Sequence, residues 1–546
     1  MSTAERLLGS PLLLRVAAEA HGLAHAARAG LVRAESPRRT LGVVNSVRRY
    51  GAFGGAVAIA AVRHGDRPAL VDELGTLTFR ELDRRSNALA NELRERGLGA
   101  GDGIGVLCRN HRGFLDITFA GAKLGAKLLY LNTDFAGPQL REVCEREGIE
   151  LLVHDEEFAT VVAGAPAALG HLVAWSDAPV GEAALEALIA RGDPAPPPSA
   201  SGHAKVVLLT SGTTGTPKGA PRPDPKSLAP IGALLSKAPF RREGCTYIAA
   251  PFFHALGFAQ AVLAVALGST IVVRRRFKPG DVLEAVERHR CDGLIVVPVM
   301  LARLVSCAEQ GEFRGDTSSL RIVFVAGSQL DANLAERALD TFGETIHNLY
   351  GSTEVAYATI ATPADLKAAP GCAGRPPFAT TVRLYDAAGQ AVSGVGVSGR
   401  IFVGNTFQFE GYTGGGNKEV IDGLMSSGDV GHFDAAGRLF VDGRDDEMIV
   451  SGGENLFPGE VEELLARHEA IEEAAVIGVD DEQFGKRLAA FVALRPAAEL
   501  TEDQVKDFVR ENLARFKVPR DVTFVQALPR NPTGKVLKRE LAQRGS

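Results

Sequence analysis

Val206-Val-Leu-Leu-Thr-Ser-Gly-Thr-Thr-Gly-Thr-Pro-Lys-Gly219 is the stretch on which the reading of this chain turns. Val206–Leu209 is a short apolar run, the pattern of a buried strand. The residues from Thr210 to Gly219 then supply five hydroxyls (Thr210, Ser211, Thr213, Thr214, Thr216) and three glycines (Gly212, Gly215, Gly219). Glycines let successive backbone N–H groups converge on one anion, hydroxyls add donors, and Lys218 adds a charge. A flexible surface turn is the bland alternative, and it needs none of these donors. The loop is not a Walker loop, which requires Gly-Lys-Ser/Thr; here Pro217 precedes the lysine and Gly219 follows it. It reads as a nucleotide-phosphate loop of another kind.

Around this loop, helical and strand-like segments alternate. Thr78-Phe-Arg-Glu81 reads as a capping box, with Leu82, Leu89 and Leu93 on one face of the helix it opens and Gly97 as its stop. Gly103–Leu107 predicts a buried strand, residues 113–125 a helix, and residues 127–131 the next strand. Residues 194–201, rich in Pro and Ser, predict a connector dividing two such blocks. Further strands are expected at 294–297 and Ile322–Val325, and the turn-rich stretch 389–416 predicts short antiparallel strands. Near the end, a charged helix (460–468), strands (475–479 and 488–494) and a second helix (502–513) predict a small domain. The expected fold class is α/β: a large N-terminal domain of stacked α/β subdomains with a small antiparallel segment, then a small α+β C-terminal domain. The expected divisions are a helical extension at 1–50, the large domain at 51–445 and the small domain at 446–546.

Composition narrows the class. With 546 residues the chain exceeds one ordinary core. Hydrophobic residues at 45% and charged ones at 23% suit a soluble globular protein. A net charge of −6 with interspersed signs gives no electrostatic case for nucleic acid. The six cysteines form no CxxC pair and read as reduced core thiols. Arg15, Glu19 and Arg28 interrupt the apolar stretch at the N-terminus, so neither a signal peptide nor a transmembrane segment is expected. A cytoplasmic location follows as the expectation. The first fifty or so residues predict a helical extension packed on the body, with an amphipathic helix lying on a membrane surface as the alternative. A monomer and a homodimer both stay open.

The phosphate loop resembles that of the adenylate-forming superfamily, which comprises acyl-CoA synthetases, peptide-synthetase adenylation domains and luciferases. Five further stretches resemble that family's motifs in the same order, from roughly residue 60 to the end. They are Pro251-Phe-Phe-His-Ala-Leu-Gly257, Asn348-Leu-Tyr-Gly-Ser-Thr-Glu354, Ser427-Gly-Asp-Val-Gly431, Gly443-Arg-Asp-Asp-Glu447 and Asn531-Pro-Thr-Gly-Lys535.

The resemblance implies a nucleotide site made of Thr210, Ser211, Gly212, Thr213, Thr214, Gly215, Lys218, Gly327, Ser328, Asn348, Tyr350, Gly351, Ser352, Thr353, Asp429 and Arg444. Within it, Tyr350 offers a ring for adenine, and Asp429 accepts from the ribose hydroxyls. Glu354, with Thr214, offers hard oxygens for Mg²⁺. Gly327 lets a base approach the backbone, although an ordinary strand-end turn explains it equally well. The implied catalytic residues are Lys535, Glu354 and His254. Read alone, Lys535 is a solvated lysine and His254 a core histidine; within the motifs, Lys535 bridges the carboxylate and the α-phosphate, and His254 gates the path of the thiol. Phe252, Phe253, Phe258, Val299, Ala326 and Tyr357 would wall the acid pocket. Asp446 would be the hinge of a mobile C-terminal domain, and Gly452 and Gly453 would line a CoA tunnel.

The activity so implied is that of an ATP-dependent acid–CoA ligase using ATP, Mg²⁺ and CoA. It would activate a hydrophobic carboxylic acid through an acyl-adenylate, a medium or long fatty acid first, with a bulky terpenoid or aryl acid also open. The pocket residues include no acid to greet an amino group, which disfavours amino acids. An acyl-AMP ligase that loads a carrier protein is the alternative. A non-catalytic binder on the same fold and a phosphotransferase releasing ADP are the remaining rivals.

Overall fold

The computed structural model describes residues 11–544 apart from 179–180, 211–217, 223–226, 406, 410, 414, 446–448, 452–453, 457, 482–484, 514–516 and 532–533. Most of the phosphate loop, the expected hinge Asp446 and the expected tunnel residues Gly452 and Gly453 therefore lie outside the described residues.

Two α/β sheets share one apolar core. The first has six strands in the order His171–Trp175, Ile149–Asp155, Gly103–Leu107, Lys127–Tyr130, Lys205–Thr210 and Lys218–Arg222. All its pairings are parallel except the last, where the chain returns from the phosphate loop. The second has eight strands in the order Thr359–Ala361, Ile346–Tyr350, Ile322–Val325, Gly293–Val296, Cys245–Ile248, Thr270–Val272, Pro68–Asp72 and Gly75–Thr78. Its six middle strands are parallel and its two edges antiparallel. Ile104 and Leu128 of one sheet and Leu70, Ile271 and Ile295 of the other belong to the same buried cluster, which makes the two sheets stacked layers.

The local signals hold well. Thr78 and Glu81 form the expected capping box at the start of helix Phe79–Glu95, and Leu82, Leu89 and Leu93 are buried. Gly103–Leu107 is a strand buried at every position. The helix expected at 113–125 runs Arg112–Lys123. The connector at 194–201 is irregular as expected, but it does not divide two blocks. It leads from helix Leu185–Arg191 straight back into the first sheet, where Lys205–Thr210 pairs with Lys127–Tyr130. The strands that leave the first block are the earliest ones, Pro68–Asp72 and Gly75–Thr78, which join the second sheet. Local composition carries no signal for that exchange, because it is a pairing across some two hundred residues.

A third, antiparallel sheet links Ala391–Val392, Thr381–Tyr385, Gly399–Gly404, Leu424–Phe433 and Val420–Ile421, with Leu439–Arg444 alongside Leu424–Phe433. The C-terminal part has its own core. Helices Pro458–Leu465 and Glu502–Asn512 contribute Val461, Leu465, Val505 and Val509 to it, against strands Ile471–Asp481, Gly485–Leu494 and Asp521–Phe524.

Of the expected N-terminal extension, the described part packs on the body. Helix Pro11–Ala29 lies against helix Ala229–Lys237. The approach is close: a Cβ on Gly22 would stand 2.6 Å from Ala229 Cα, so only glycine fits there. His21 stacks on Phe378 at 4.4 Å. Among the described residues no helix is long and apolar enough to cross a membrane.

Candidate active site

In open parallel sheets, the carboxyl ends of the strands form a crevice where ligands bind. The sequence motifs converge on such ends. Thr210 ends one strand of the first sheet and delivers the chain into the phosphate loop. In the second sheet, Pro251–His254 follow strand Cys245–Ile248, Val297 and Val299 follow Gly293–Val296, Ala326–Ser328 follow Ile322–Val325, and Gly351–Glu354 follow Ile346–Tyr350.

Three motifs meet at Tyr350. Its hydroxyl donates to Asp429 Oδ2 at 2.5 Å and lies 3.1 Å from Ser427 Oγ. Asp429 pairs in register with Arg444 across adjacent strands, and Arg444 Nη1 donates to Asp429 Oδ1 at 3.1 Å. Burial pushes the Asp429 carboxyl above its ordinary value, against the hydrogen bonds from Tyr350 and Arg444, which favour the charged form. The expected adenine ring, ribose acceptor and neighbouring arginine are thus one bonded cluster. Next to Tyr350 on its strand, Asn348 is buried and its side-chain Oδ1 has no hydrogen-bond partner. Gly327 and Ser328 are exposed at the neighbouring strand end.

Glu354 is buried, 8% exposed, and both its oxygens are held. Ser352 Oγ donates to Oε2 at 2.9 Å and Tyr412 Oη donates to Oε1 at 2.7 Å. Each oxygen keeps a lone pair, so this hard carboxylate fits a Mg²⁺ ligand set. Its expected companion, Thr214, lies outside the described residues. Burial and then the Glu354 carboxylate raise the Tyr412 phenol above its ordinary value, so it remains a donor. The Tyr412 ring also carries Lys218, whose Nζ stands 5.3 Å from the ring centroid. The adjacent Thr413 accepts from Gly219 N–H at 3.1 Å and donates to the buried Glu147 at 2.5 Å. Tyr412, Thr413 and Glu147 therefore clamp the exit of the phosphate loop to Glu354. Sequence reading missed all three, because each acts across more than fifty residues and sits in no motif of its own.

The residues expected on the acid side are apolar, apart from the hydroxyl of Tyr357. Phe253, Val297, Ala326 and Tyr357 are buried and Val299 is partly so. Tyr357 directs its hydroxyl to Pro230 O at 3.4 Å. The wall residues expected from sequence do not all gather here. Phe252 is wholly buried in the shared core, its ring 5.2 Å from Phe114, and its N–H donates to Asn110. Phe258 packs between Tyr130 and Phe53. His254 lies against Phe253 with ring centroids 4.4 Å apart, and its Nε2 is buried without a partner. Burial alone pushes its imidazole down to about 4, so it is neutral near pH 7.

Lys535 is exposed and lies in a tight turn. Its N–H donates to Asn531 Oδ1 at 2.9 Å, and Gly534 N–H donates to Asn531 O at 2.8 Å. Gly534 has φ +77°, and a Cβ there would stand 2.1 Å from Val299 Cγ1. Only glycine lets the turn press this far onto the acid-side wall. The C-terminal lysine turn is thereby seated against Val299 and Val297.

Residues 57–413 match the family described as AMP-binding enzyme, and residues 460–535 match the AMP-binding enzyme C-terminal domain. A feruloyl-CoA synthase of Amycolatopsis sp is 36% identical over 493 residues, which cover 89% of this chain and 95% of that one. A fatty acid–[acyl-carrier-protein] ligase of Streptomyces coeruleorubidus is 30% identical over 490 residues, covering 87% of this chain and 93% of the other. Among solved structures, o-succinylbenzoate CoA synthetase from Bacillus subtilis in complex with its acyl-adenylate superposes with a TM-score of 0.77 at 26% identity. That match covers 89% of this chain and 97% of the other.

Proposed function

The chain belongs to the AMP-binding enzyme family, and from that premise we propose that it is an acid–CoA ligase for a hydrophobic carboxylic acid, an aryl acid ahead of a fatty acid. The observation that carries the reading is the seat of Gly534 on Val299, which brings the Lys535 turn against the apolar residues that follow strand Gly293–Val296. The feruloyl-CoA synthase relative supports the aryl preference.

In the first half-reaction a carboxylate oxygen bonds to the α-phosphorus of ATP, the α–β anhydride breaks, and pyrophosphate leaves. Lys535 balances the charge that builds at the α-phosphoryl group, a purely electrostatic service. Lys218 and the loop 210–219 hold the departing pyrophosphate. Asp429 takes the ribose hydroxyls, and Tyr350 and Arg444 fix its carboxylate for that task. The unpartnered Asn348 oxygen suits an exocyclic amine such as that of adenine. Glu354 would hold Mg²⁺, which when bound neutralises phosphate charge; Ser352 and Tyr412 orient the carboxylate.

In the second half the small C-terminal domain, residues 446–546, turns about Asp446 relative to the large domain, 51–445, and withdraws Lys535. Gly452 and Gly453 line the entry of the pantetheine arm, and His254 yields the path beside Phe253. The CoA sulfur bonds to the acyl carbon, the mixed anhydride breaks, and AMP leaves.

The test is incubation with ATP, Mg²⁺ and a panel of aryl and fatty acids, with and without CoA. AMP, pyrophosphate and an acyl-CoA thioester are expected. ADP as product, or no thioester with any acid, overturns the reading. A second reading, loading of a carrier protein, is supported by the acyl-carrier-protein ligase relative. Under that reading, adenylate forms but CoA does not speed AMP release.

A further inference from the structure

One face of helix Pro37–Gly54 takes no part in this chemistry and lies ahead of the family match, which begins at residue 57. Leu41, Val44 and Val47 follow at helical spacing and are 61%, 54% and 42% exposed. Val62, from the neighbouring helix Ala56–His64, extends the ridge, since its side chain packs over Gly42. Arg38, Arg39, Arg48 and Arg49 stand exposed at the two ends, and none makes an ion pair among the described residues. From residue 36 to residue 65 the sequence holds no Asp or Glu. Glu35, just before, is taken up by Arg63 and Arg33.

The ridge has a fixed aspect. Tyr50, at the end of the helix, is buried and donates to Pro197 O at 2.8 Å. Gly51, with φ 74°, then turns the chain into the body.

We propose that this face docks on an anionic lipid surface, with the four arginines at lipid phosphates and Leu41, Val44, Val47 and Val62 among the headgroups and upper acyl chains. The chemistry selects this partner over others. An ordinary solvated face mixes charge signs, and residues 36–65, which form these two helices, carry cations only. A second copy would set arginines against arginines about a two-fold axis. Four aliphatic side chains also fall far short of the roughly 800 Å² per partner of a stable interface. Nucleic acid would meet the arginines but leave the aliphatic ridge without a role. A lipid surface would also bring the enzyme to where hydrophobic acids partition; that advantage rests on the proposed substrate class, whereas the docking does not.

The experiment is co-sedimentation of the full chain with vesicles of phosphatidylcholine alone and of phosphatidylcholine mixed with phosphatidylglycerol, at low and high salt. Sedimentation with the phosphatidylglycerol vesicles, released by salt, is expected. At roughly fivefold per arginine, R48E/R49E should weaken the partition by well over tenfold. L41S/V44S should weaken it too, while acid-dependent pyrophosphate exchange stays unchanged in both variants. No sedimentation of the wild type, or equal sedimentation with both vesicle types, overturns the proposal. So does a concentration-dependent dimer that L41S/V44S abolishes, which would assign the face to a second copy. Failure here leaves the ligase reading intact, because that reading is read from thioester formation.

Discussion

Tyr412 touches two charged groups at once, Glu354 through its hydroxyl and Lys218 through its ring. Tyr412→Phe keeps the ring and loses the hydroxyl. A hydrogen bond to a charged group is worth about 1.5–3 kcal/mol, so pyrophosphate exchange should fall roughly ten- to hundredfold, with a raised Mg²⁺ requirement. Lys535→Ala should cost more, on the order of a hundred- to thousandfold in exchange, by analogy with deletion of one preorganised donor in a transition state. If the variant exchanges at the normal rate, the lysine has no such role. His254 makes a separate prediction about stability. Its imidazole is neutral in the fold and protonates more readily once unfolded, so its contribution is complete above about 6.5 and fades as pH falls toward about 4. The urea midpoint should drop over that window, and His254→Asn should flatten the drop. These residues differ in how they could be found. Lys535, Glu354 and His254 sit in dense local motifs, which is what makes them candidates from sequence. Tyr412, Thr413 and Glu147 are not legible in that way, because their work is done by contacts with segments far away in the chain. Phe252 fits the motif, yet its ring turns into the core, a choice that periodicity does not encode.

The lysine turn 531–535 presses through Gly534 on Val299, at the start of helix Pro298–Glu309. A Gly534→Val substitution adds atoms where Val299 Cγ1 already stands and forces a side chain into φ +77°. Adenylation should fall by at least tenfold, whereas thioester formation from supplied acyl-adenylate should persist, since that step needs the turn withdrawn. Loss of both steps would mean the variant fails to fold; normal adenylation would mean the contact is incidental. Most such elements could be placed from sequence, since capping boxes, glycine stops and apolar runs are local. Their partners could not. The capping box at Thr78 announces a helix, but nothing in Pro68–Asp72 announces that Leu70 pairs with Ile271.

For the molecule as a whole, the proposed mechanism needs the C-terminal part to turn about Asp446. Asp446→Pro would hold φ near −65° and resist the large backbone change a hinge must absorb. Acid-dependent pyrophosphate exchange should survive, while CoA-dependent release of AMP should fall by at least an order of magnitude. Equal loss of both steps would remove residue 446 from the hinge. The early strands have a separate consequence, for the birth of the protein. Pro68–Asp72 leave the ribosome well before Thr270–Val272, the strand they must pair with. At about 5–20 residues per second, the hairpin waits on the order of ten to forty seconds for its neighbour. The first sheet can close in that interval, but the second cannot grow beyond its hairpin until about half of the chain has emerged. Nascent chains of this protein should therefore hold an unsatisfied apolar hairpin through mid-synthesis, a natural client for a ribosome-bound chaperone.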